Sequence, residues 1–345
     1  MFLVFVMAAV IWGIGMLTKT PKMMRWVMIG LLYLAVLGIQ FLFPEEHSLR
    51  IATGGSPQPW LLLGGGAALV ALYRAGLTWL KARVVQPEEP TVSGPFSETE
   101  LNRYARHIVM RELGGLGQKK LKDAKVLVVG AGGLGSPALM YLAAAGVGTI
   151  GVVDDDVVDN SNLQRQVIHK DAAIGVPKVH SAAKEMQAQN PFIEVRPYQR
   201  RLDADSARTL IAEYDLVLDG TDNFDTRYLI NEACVSLSKP LISGAITQWE
   251  GQVSLFDPAK GAPCYRCTFP EAPAAELAPN CSVAGVVGPL PGVIGSMMAL
   301  EAVKAITGAG ATLRGEMLIY DGLYGETRKI GLKKRTDCAT CGTLH

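Results

Sequence analysis

The hydrophobic and polar positions divide the chain into parts with different patterns. Three long apolar runs, each close to the length that crosses a lipid bilayer, open the chain: residues 1–17, 26–43 and 60–80. Beyond residue 95 the apolar runs are short and alternate with amphipathic stretches, which is typical of parallel strands connected by helices. We therefore predict three segments in chain order: a transmembrane helical region over residues 1–85, a linker over 86–95 and an α/β domain over 96–345.

The distribution of basic residues predicts how the apolar runs are oriented. The loop at residues 18–25 carries three Lys or Arg residues, the loop at 44–59 carries only Arg50, and two more basic residues lie at 81–83. Basic loops face the cytoplasm, so this pattern predicts a multi-pass protein of the inner (cytoplasmic) membrane with its α/β domain in the cytoplasm. A signal peptide is disfavoured because no charge precedes the first run. The alternative is a buried helical hairpin in a soluble protein.

A strand–turn–helix–strand unit lies at the centre of the α/β domain. The apolar residues Val126–Val129 predict a buried strand, Gly130–Gly135 follows as GAGGLG, and a helix extends to about Ala145. The second strand, Thr149–Val153, ends at Asp154. Glycines at this position let backbone amides approach a phosphate, and an acid after the second strand can bind a ribose. The unit predicts a nucleotide site of unspecified kind, because NAD-binding proteins share it.

Two cations lie where they could bind phosphate oxygens. Arg165 is in a polar loop, residues 158–166, that follows the second strand, and Lys178 follows Pro177 in the first turn of the next helix. Taken alone, Arg165 could pair with a surface acid and Lys178 could be solvated. A third basic group, Arg103 and Arg106 after the Ser97 helix cap, is predicted on one face of a helix and is typical of a solvated surface.

Two further strands place polar groups at the same edge of the sheet. The run Asp215–Leu218 leads into Asp219–Asn223, where a carboxylate could hold Mg²⁺ against a triphosphate. Another strand, Pro240–Ser243, ends at glycine and alanine. Because parallel strands end at one edge, we expect these segments to converge with the glycine loop. A later apolar helix, Val293–Ile306, is predicted to pack in the core or at a subunit interface.

Four of the six cysteines form two CxxC pairs, at Cys264 and Cys267 and at Cys338 and Cys341. Four thiolates in two such pairs suit a tetrahedral structural Zn²⁺ site. A pair of redox dithiols is the alternative, although neither pair has the flanking residues of a thioredoxin motif. Cys234 lies in an apolar helix and is expected in the core. Cys281, in a loop rich in proline and glycine, is either a nucleophile or a spectator thiol.

Composition narrows the range of partners. The 345 residues are 49% hydrophobic, with a formal net charge of +1 and a mean hydropathy of +0.22. The near-neutral charge argues against a nucleic-acid partner. Six cysteines in a chain of this length do not form a disulfide scaffold, which favours a reducing compartment.

From about Phe96 to Cys341 the sequence resembles the MoeB/ThiF/HesA group of the ubiquitin-activating superfamily. The resemblance covers roughly the last 250 residues in order and implies a Rossmann-like, doubly wound and mostly parallel sheet with a zinc-bound C-terminal part. The matching segments are RYARH, VGAGGLGSP, VVDDD, SNLQRQ, PK, LDGTDN, PCYRC, NCSVAGVVGPLPGVIG and the final CxxC.

The resemblance implies ATP-dependent adenylation of a ubiquitin-like sulfur-carrier protein ending in Gly-Gly. Gly133 would lie against the nucleotide, Asp154 on the ribose and Asp222 at Mg²⁺, while Arg106 would reach the ATP of the partner subunit in a homodimer. Arg165 and Lys178 would neutralise the phosphates, and Cys281 matches a cysteine that forms a sulfur-linked intermediate in some members. The implied nucleotide-binding residues are Gly133, Asp154, Ser161, Asn162, Leu163, Gln164, Arg165, Lys178, Asp222 and Asn223.

The sequence is compatible with several functions. The first choice is the adenylyltransferase of molybdenum cofactor biosynthesis, which acts on a MoaD-like carrier, and the nearest alternative acts on a ThiS-like carrier in thiamine biosynthesis. No rhodanese-like domain follows, so a separate sulfur donor is expected. An NAD-dependent oxidoreductase would explain the glycine loop and Asp154 but leaves both CxxC pairs unexplained. A non-catalytic nucleotide-binding membrane scaffold is the remaining alternative, although the intact Arg165 and Lys178 count against it.

Overall fold

The computed structural model describes residues 1–83, 94–272 and 284–342. Cys281, the predicted nucleophile or spectator thiol, lies outside the described residues. Contacts divide the chain into two compact units, Met1–Thr91 and Val92–His345.

The N-terminal unit consists of helices. They are α1 (Phe2–Leu17), α2 (Lys22–Leu42), α3 (Ser48–Ala52) and α4 (Gln58–Arg83). A small core of Val4, Val36 and Trp60 joins α1, α2 and α4. The Tyr33 hydroxyl on α2 donates a hydrogen bond to the Trp60 carbonyl at 2.7 Å. Outside this core most large apolar side chains of α1, α2 and α4 are exposed, including Leu31, Leu62 and Leu69, so the unit presents an apolar outer surface.

The second unit is an α/β domain built on one sheet of eight strands. The strands are β1 (Lys125–Val129), β2 (Thr149–Val153), β3 (Glu194–Tyr198), β4 (Leu216–Asp219), β5 (Leu241–Ile246), β6 (Glu250–Phe256), β7 (Glu316–Asp321) and β8 (Glu326–Gly331). The helices are α5 (Glu98–Arg103), α6 (Ala105–Ile108), α7 (Gly114–Asp123), α8 (Gly135–Ala145), α9 (Lys178–Gln189), α10 (Ala204–Ala212), α11 (Phe224–Ser236), α12 (Tyr265–Thr268) and α13 (Pro289–Thr307).

The strand order is β3-β2-β1-β4-β5-β6-β7-β8. The first five strands in this order are parallel to one another, and β6, β7 and β8 each pair antiparallel with the strand before. Strands β2 and β3 lie on one side of β1, and β4 and β5 lie on its other side, so the strand order reverses between β1 and β4. Such a reversal opens a crevice at the carboxyl ends of the strands. Both sheet faces are covered: α8, α9 and α13 contribute to one core cluster, and α10 and α11 to the other. The Rossmann-like, mostly parallel sheet predicted from the sequence is confirmed.

The predicted strands lie close to those observed. β2 has the predicted bounds, β1 begins one residue earlier than predicted and β4 is shifted by one residue. β5 extends beyond the predicted Ser243 to Ile246 because it pairs antiparallel with β6 over its whole length. Cys234 is buried in the core, as expected.

The prediction of one helix carrying Arg103 and Arg106 on the same face is wrong. Ser97 caps α5 in a capping box with Glu100, as predicted, but the helix is interrupted at Tyr104, and α6 begins at the next residue. Tyr104 is buried, accepts a 2.8 Å hydrogen bond from the Asn190 side chain and packs on Gly146, so tertiary packing interrupts the helix at this residue.

Helices long and apolar enough to cross a membrane occur in both units. By length and composition α2, residues 58–80 of α4 and α13 qualify among the described residues, while α1, with 16 residues, is shorter. The window in α13 is 50% buried because this helix packs on the sheet, whereas the α2 and α4 windows are 11% and 0% buried. Length and hydropathy therefore qualify α13 as well as α2, and burial separates the two helices.

Candidate active site and cysteine cluster

The glycine loop between β1 and α8 packs too closely for side chains. Gly130 has φ +94°, a left-handed conformation that favours glycine. A Cβ on Gly135 would overlap the Gly130 carbonyl, so the start of α8 can approach the loop only without a side chain. Among the described residues, neither the Gly132 nor the Gly133 amide donates a hydrogen bond. These amides, at the N-terminal end of α8, remain available to an anion.

Asp154 is tied to the glycine loop at the end of β2. One carboxylate oxygen accepts from the Ala131 amide at 2.8 Å, and the other accepts from the Asp156 amide at 2.9 Å. Burial raises the pKa of Asp154, and the positive charge of Lys178 opposes that rise. Each oxygen keeps a second lone pair, so the carboxylate can still accept hydrogen bonds from a ribose.

The loop after β2 orients Arg165 beside the glycine loop. The Asn162 side-chain oxygen accepts from Arg165 and from Gln166, each at 3.0 Å. A Cβ placed on Gly133 would lie 3.1 Å from Pro291 and 3.6 Å from Arg165, so these two side chains flank that glycine. Arg165 is half-buried and therefore lies at the rim of the loop. The other predicted residues of this segment are exposed at Ser161 and Gln164 and half-buried at Leu163.

Lys178 is a buried cation at the start of α9. Only 5% of the residue is exposed, and its Nζ atom lies 2.7 Å from a carboxylate oxygen of Asp156. The Lys178 amide also donates to the Asp156 carbonyl at 2.9 Å. In the sequence Asp156 is the last of three consecutive acids in VVDDD, and nothing local to Asp156 or Lys178 indicates that they meet.

The last residue of β4 and the loop that follows it each carry an acid, and the two acids have different environments. Asp219 is fully buried and accepts hydrogen bonds from Ser243 and Thr221, whereas Asp222 is exposed and makes no ion pair with the described residues. The Asn223 side-chain oxygen accepts from the Thr226 amide at 2.9 Å and so caps α11. Asn223, predicted to bind the nucleotide, therefore also serves as the N-cap of α11.

Arg227, a buried residue in the first turns of α11, joins the loop after β4 to β5. Its guanidinium donates to Ser243 at 3.1 Å and to the Gly244 carbonyl at 2.9 Å, and it also reaches the Thr221 carbonyl and Asp219. It holds the ends of β4 and β5 together. Only its helical position and charge could have indicated this, and both are shared with many solvated arginines.

The structure brings most of the predicted nucleotide-site residues to one edge of the sheet. A Cβ on Gly130 would lie 3.0 Å from the Gly220 carbonyl, so the loops after β1 and β4 pack closely. Asp154 accepts a hydrogen bond from the glycine loop, and Arg165 lies beside it. Arg106 is not part of this cluster within one chain. It is exposed on α6 and forms no hydrogen bond with the described residues.

Four buried thiols form a compact cluster. The Sγ atoms of Cys264 and Cys267 are 3.8 Å apart, those of Cys264 and Cys338 are 3.7 Å apart, and those of Cys267 and Cys341 are 3.4 Å apart. All four are free, and their sulfurs lie within 4.8 Å of one another. A tetrahedral zinc site with bonds of about 2.3 Å has sulfur–sulfur edges of about 3.8 Å, so the donor set and its spacing fit this ion.

The backbone around the cluster favours a thiolate at one position. Burial raises the pKa of Cys338, but amide hydrogen bonds from Cys341 and Thr340 outweigh it and bring that pKa down to about 7. Burial also raises the pKa of Cys341, to about 11. The Arg335 amide lies 3.5 Å from the Cys267 sulfur as a further donor. Amides directed at sulfur are suited to the negative charge that metal-binding cysteines carry.

The fold and these groups define the class: a Rossmann-like nucleotide-binding enzyme domain with a separate four-cysteine cluster. The ThiF family matches residues 104–340, and the chain belongs to this family. The sulfur carrier protein adenylyltransferase of Thermus thermophilus is 47% identical over 251 residues, 72% of this chain and 93% of the relative. The probable adenylyltransferase/sulfurtransferase MoeZ of Mycobacterium tuberculosis is 51% identical over 241 residues. These residues are 69% of this chain and 62% of that relative.

The solved structure of Escherichia coli MccB with ATP has the same fold, with a TM-score of 0.62, 25% identity and coverage of 70% of this chain and 74% of that one. With relatives at this identity over nearly the whole domain, the chain is an adenylyltransferase. The resemblance stated from the sequence motifs is confirmed, and the NAD-dependent alternative is disfavoured.

Proposed function

We propose that this enzyme uses ATP to adenylate the C-terminal glycine of a small ubiquitin-like sulfur-carrier protein, of the MoaD-like kind used in molybdenum cofactor biosynthesis. The observation that carries the proposal is the pair of cations beside an anion-binding loop. Arg165 lies beside Gly133, and the buried Lys178 extends from the start of α9 at the same sheet edge. The Thermus relative, named for action on a sulfur carrier protein, supports the choice of substrate.

The reaction requires alignment of the carrier carboxylate with the α-phosphate and stabilisation of the phosphate charge, and it needs little acid–base chemistry. A carboxylate oxygen of the carrier attacks the α-phosphorus, the bond from that phosphorus to the bridging oxygen breaks, and pyrophosphate leaves. Lys178, Arg165 and the free amides of Gly132 and Gly133 spread the charge that develops on the phosphate oxygens. Asp154 receives the ribose hydroxyls. The sulfur of a separate donor then attacks the acyl carbon of the acyl-adenylate, the bond from that carbon to the phosphate oxygen breaks, and AMP leaves.

We assign Mg²⁺ to the neighbourhood of Asp222. This carboxylate is exposed and free of ion pairs with the described residues, so it can bind a hydrated cation that also contacts the phosphates. When bound, the ion neutralises phosphate charge. Asp219 is a poor candidate because its oxygens are occupied by Ser243 and Thr221 inside the protein.

We assign Zn²⁺ to the cluster of Cys264, Cys267, Cys338 and Cys341, where it serves a structural role. Four sulfur ligands leave no open position for a substrate or for water, as expected of a closed structural site. The cluster ties α12 to the C-terminal segment, and α12 packs on α11, where the Asn231 side chain accepts from the Tyr265 amide at 2.8 Å.

The N-terminal unit is proposed as a membrane anchor of multi-pass topology in the cytoplasmic membrane. Its support is the apolar outer surface of α1, α2 and α4 together with the basic loop between α1 and α2. The positive-inside rule then places the enzyme domain in the cytoplasm, where ATP is available.

A homodimer is proposed from two surface features of the enzyme domain. Arg106 is exposed on α6 without a partner among the described residues, as a residue that acts across a subunit boundary would be. An apolar groove lies between α8 and α13 and is lined by residues that include Met140, Tyr141, Val293 and Leu300. A second copy of the chain would bury this groove.

Carrier-dependent ATP–pyrophosphate exchange tests the proposed reaction. Full-length protein in detergent should incorporate labelled pyrophosphate into ATP only with a MoaD-like carrier that keeps its terminal glycine. A carrier that lacks this glycine is the matched control. Exchange that depends on a ThiS-like carrier would move the enzyme to thiamine biosynthesis. Exchange with neither carrier, despite measured ATP binding, would overturn the substrate assignment and favour a nucleotide-binding scaffold.

A further inference from the structure

His169 is a buried histidine that none of the proposed steps uses. It is 5% exposed and lies between the loop that carries Arg165 and the start of α9. One ring nitrogen, Nε2, lies 2.9 Å from the Ala131 carbonyl oxygen of the glycine loop. The other, Nδ1, lies 2.9 Å from the Ser181 hydroxyl on α9. The imidazole thus spans two elements of the nucleotide site.

The bonding pattern determines the form of this histidine. A carbonyl oxygen can only accept, so Nε2 carries the proton and donates it to Ala131. In the neutral ring Nδ1 then accepts from the Ser181 hydroxyl. Burial lowers the pKa of His169, which favours the same neutral form. The ring therefore acts as a rigid connector.

The contact with Ala131 orients an amide of the anion-binding loop. The Ala131 carbonyl and the Gly132 amide belong to one planar trans peptide unit and point in opposite directions. Holding the carbonyl toward His169 therefore directs the Gly132 N–H away from His169. That amide has no acceptor among the described residues, and it belongs to the loop flanked by Arg165.

The contact with Ser181 connects the same ring to α9, the helix that begins at Lys178. Ser181 lies three residues after Lys178 in α9, one helical turn from the buried ammonium. The His169 amide also donates to the Gln166 carbonyl at 3.1 Å, and the Gln166 side chain donates to Asn162, which orients Arg165. His169 therefore contacts the glycine loop and α9 through its ring, and the loop that carries Arg165 through its backbone amide.

We propose that His169 is a positioning residue for phosphate binding: it fixes the Gly132 amide relative to Lys178 and Arg165. It touches no reacting atom itself. The inference rests on the proposed function, since it assumes that the phosphates of ATP bind at this loop. It predicts that loss of the ring impairs recognition of the phosphates and leaves recognition of the nucleoside intact.

Calorimetric titration of the full-length protein with ATP and with adenosine tests the proposal. His169→Ala should weaken ATP binding by about tenfold, the scale of one or two hydrogen bonds, and change adenosine binding by less than about twofold. His169→Gln, which keeps a donor toward Ala131, should recover part of the ATP affinity. His180→Ala is the matched control, because His180 is an exposed histidine on α9 and its loss should leave both affinities unchanged.

Equal losses for ATP and adenosine would identify His169 as a merely structural residue and overturn the proposal. If His169→Ala fails to fold, Ser181→Ala gives a second test: it removes only the outer hydrogen bond and should weaken ATP binding about threefold without affecting adenosine. No ATP-specific loss in that variant would also overturn the proposal. Failure of the proposed function is recognised separately, because the unaltered protein would then show no carrier-dependent pyrophosphate exchange, whereas the His169 proposal is tested by ATP binding alone.

Discussion

The buried ammonium of Lys178 is paired with the carboxylate of Asp156, whose side chain is 66% exposed, at 2.7 Å. The pair is therefore asymmetric: the cation is desolvated, and its counterion remains in contact with water. An exposed carboxylate contributes little net attraction because solvent screens it. A phosphate can therefore replace Asp156 as the partner of Lys178 without leaving a buried charge uncompensated.

Lys178→Ala should reduce carrier-dependent pyrophosphate exchange by at least about 100-fold, because one aligned cation is removed from the transition state. Lys184→Ala is the matched control, since Lys184 is an exposed lysine on the same helix and its loss should change the rate by less than about twofold. Exchange rates measured at saturating ATP distinguish the two. A Lys178→Ala enzyme with near-normal turnover would remove this lysine from the site.

Cys341→Ser should cost the protein its zinc and lower its melting temperature by about 5–10 °C or more, because a closed structural site contributes folding free energy. Metal analysis and calorimetry are the measurements. Cys234→Ala deletes a buried thiol outside the cluster, so it should keep about one zinc per chain and cost about 1 kcal/mol. Zinc retained at full stoichiometry in Cys341→Ser would contradict the four-sulfur assignment.

Asp222→Asn should raise the Mg²⁺ concentration needed for half-maximal exchange and lower the maximal rate by about 100-fold, because a neutral amide is a weaker ligand for a hard cation. A magnesium titration of the exchange rate gives both values. Asp225→Asn alters an exposed acid in the first turn of α11 and should behave like the unaltered enzyme. Identical effects of the two substitutions would indicate a general loss of surface charge instead.

Arg106→Ala should inactivate the enzyme, and activity should return in mixed dimers with Lys178→Ala. Each mixed dimer has one site that combines an intact Lys178 with the Arg106 of the partner chain. Random association therefore predicts about a quarter of the unaltered activity. Co-expression followed by an exchange assay measures it. An inactive mixture that nevertheless contains heterodimers would show that Arg106 does not act across the interface.

The full-length chain should remain with membranes after an alkaline carbonate wash, whereas residues 94–345 should be soluble. The physical reason is that α2 and α4 expose apolar surface along nearly their whole length. Immunoblots of both fractions give the result. A full-length protein that is soluble and monodisperse without detergent would show that these helices pack against protein.

The sequence predicts some elements of the fold correctly and others not. Strands β1 and β2 and the start of α8 follow from apolar runs and glycines, because these signals lie within a few residues of one another. The break at Tyr104 does not, since it depends on Gly146 and Asn190, more than forty positions away. Cys281 stays a prediction, because it lies outside the described residues.

By itself the sequence determined the order of elements, the glycine loop, the two CxxC pairs and the family, all of which depend on residue type and short-range spacing. Only the tertiary structure decided which distant groups meet. The two CxxC pairs come together although they are 74 positions apart in the sequence. Lys178 pairs with Asp156, and His169 forms a hydrogen bond with the Ala131 carbonyl. The physical reason is that such contacts are set by how the crossover helices return each strand to the sheet, and local periodicity carries no record of that geometry.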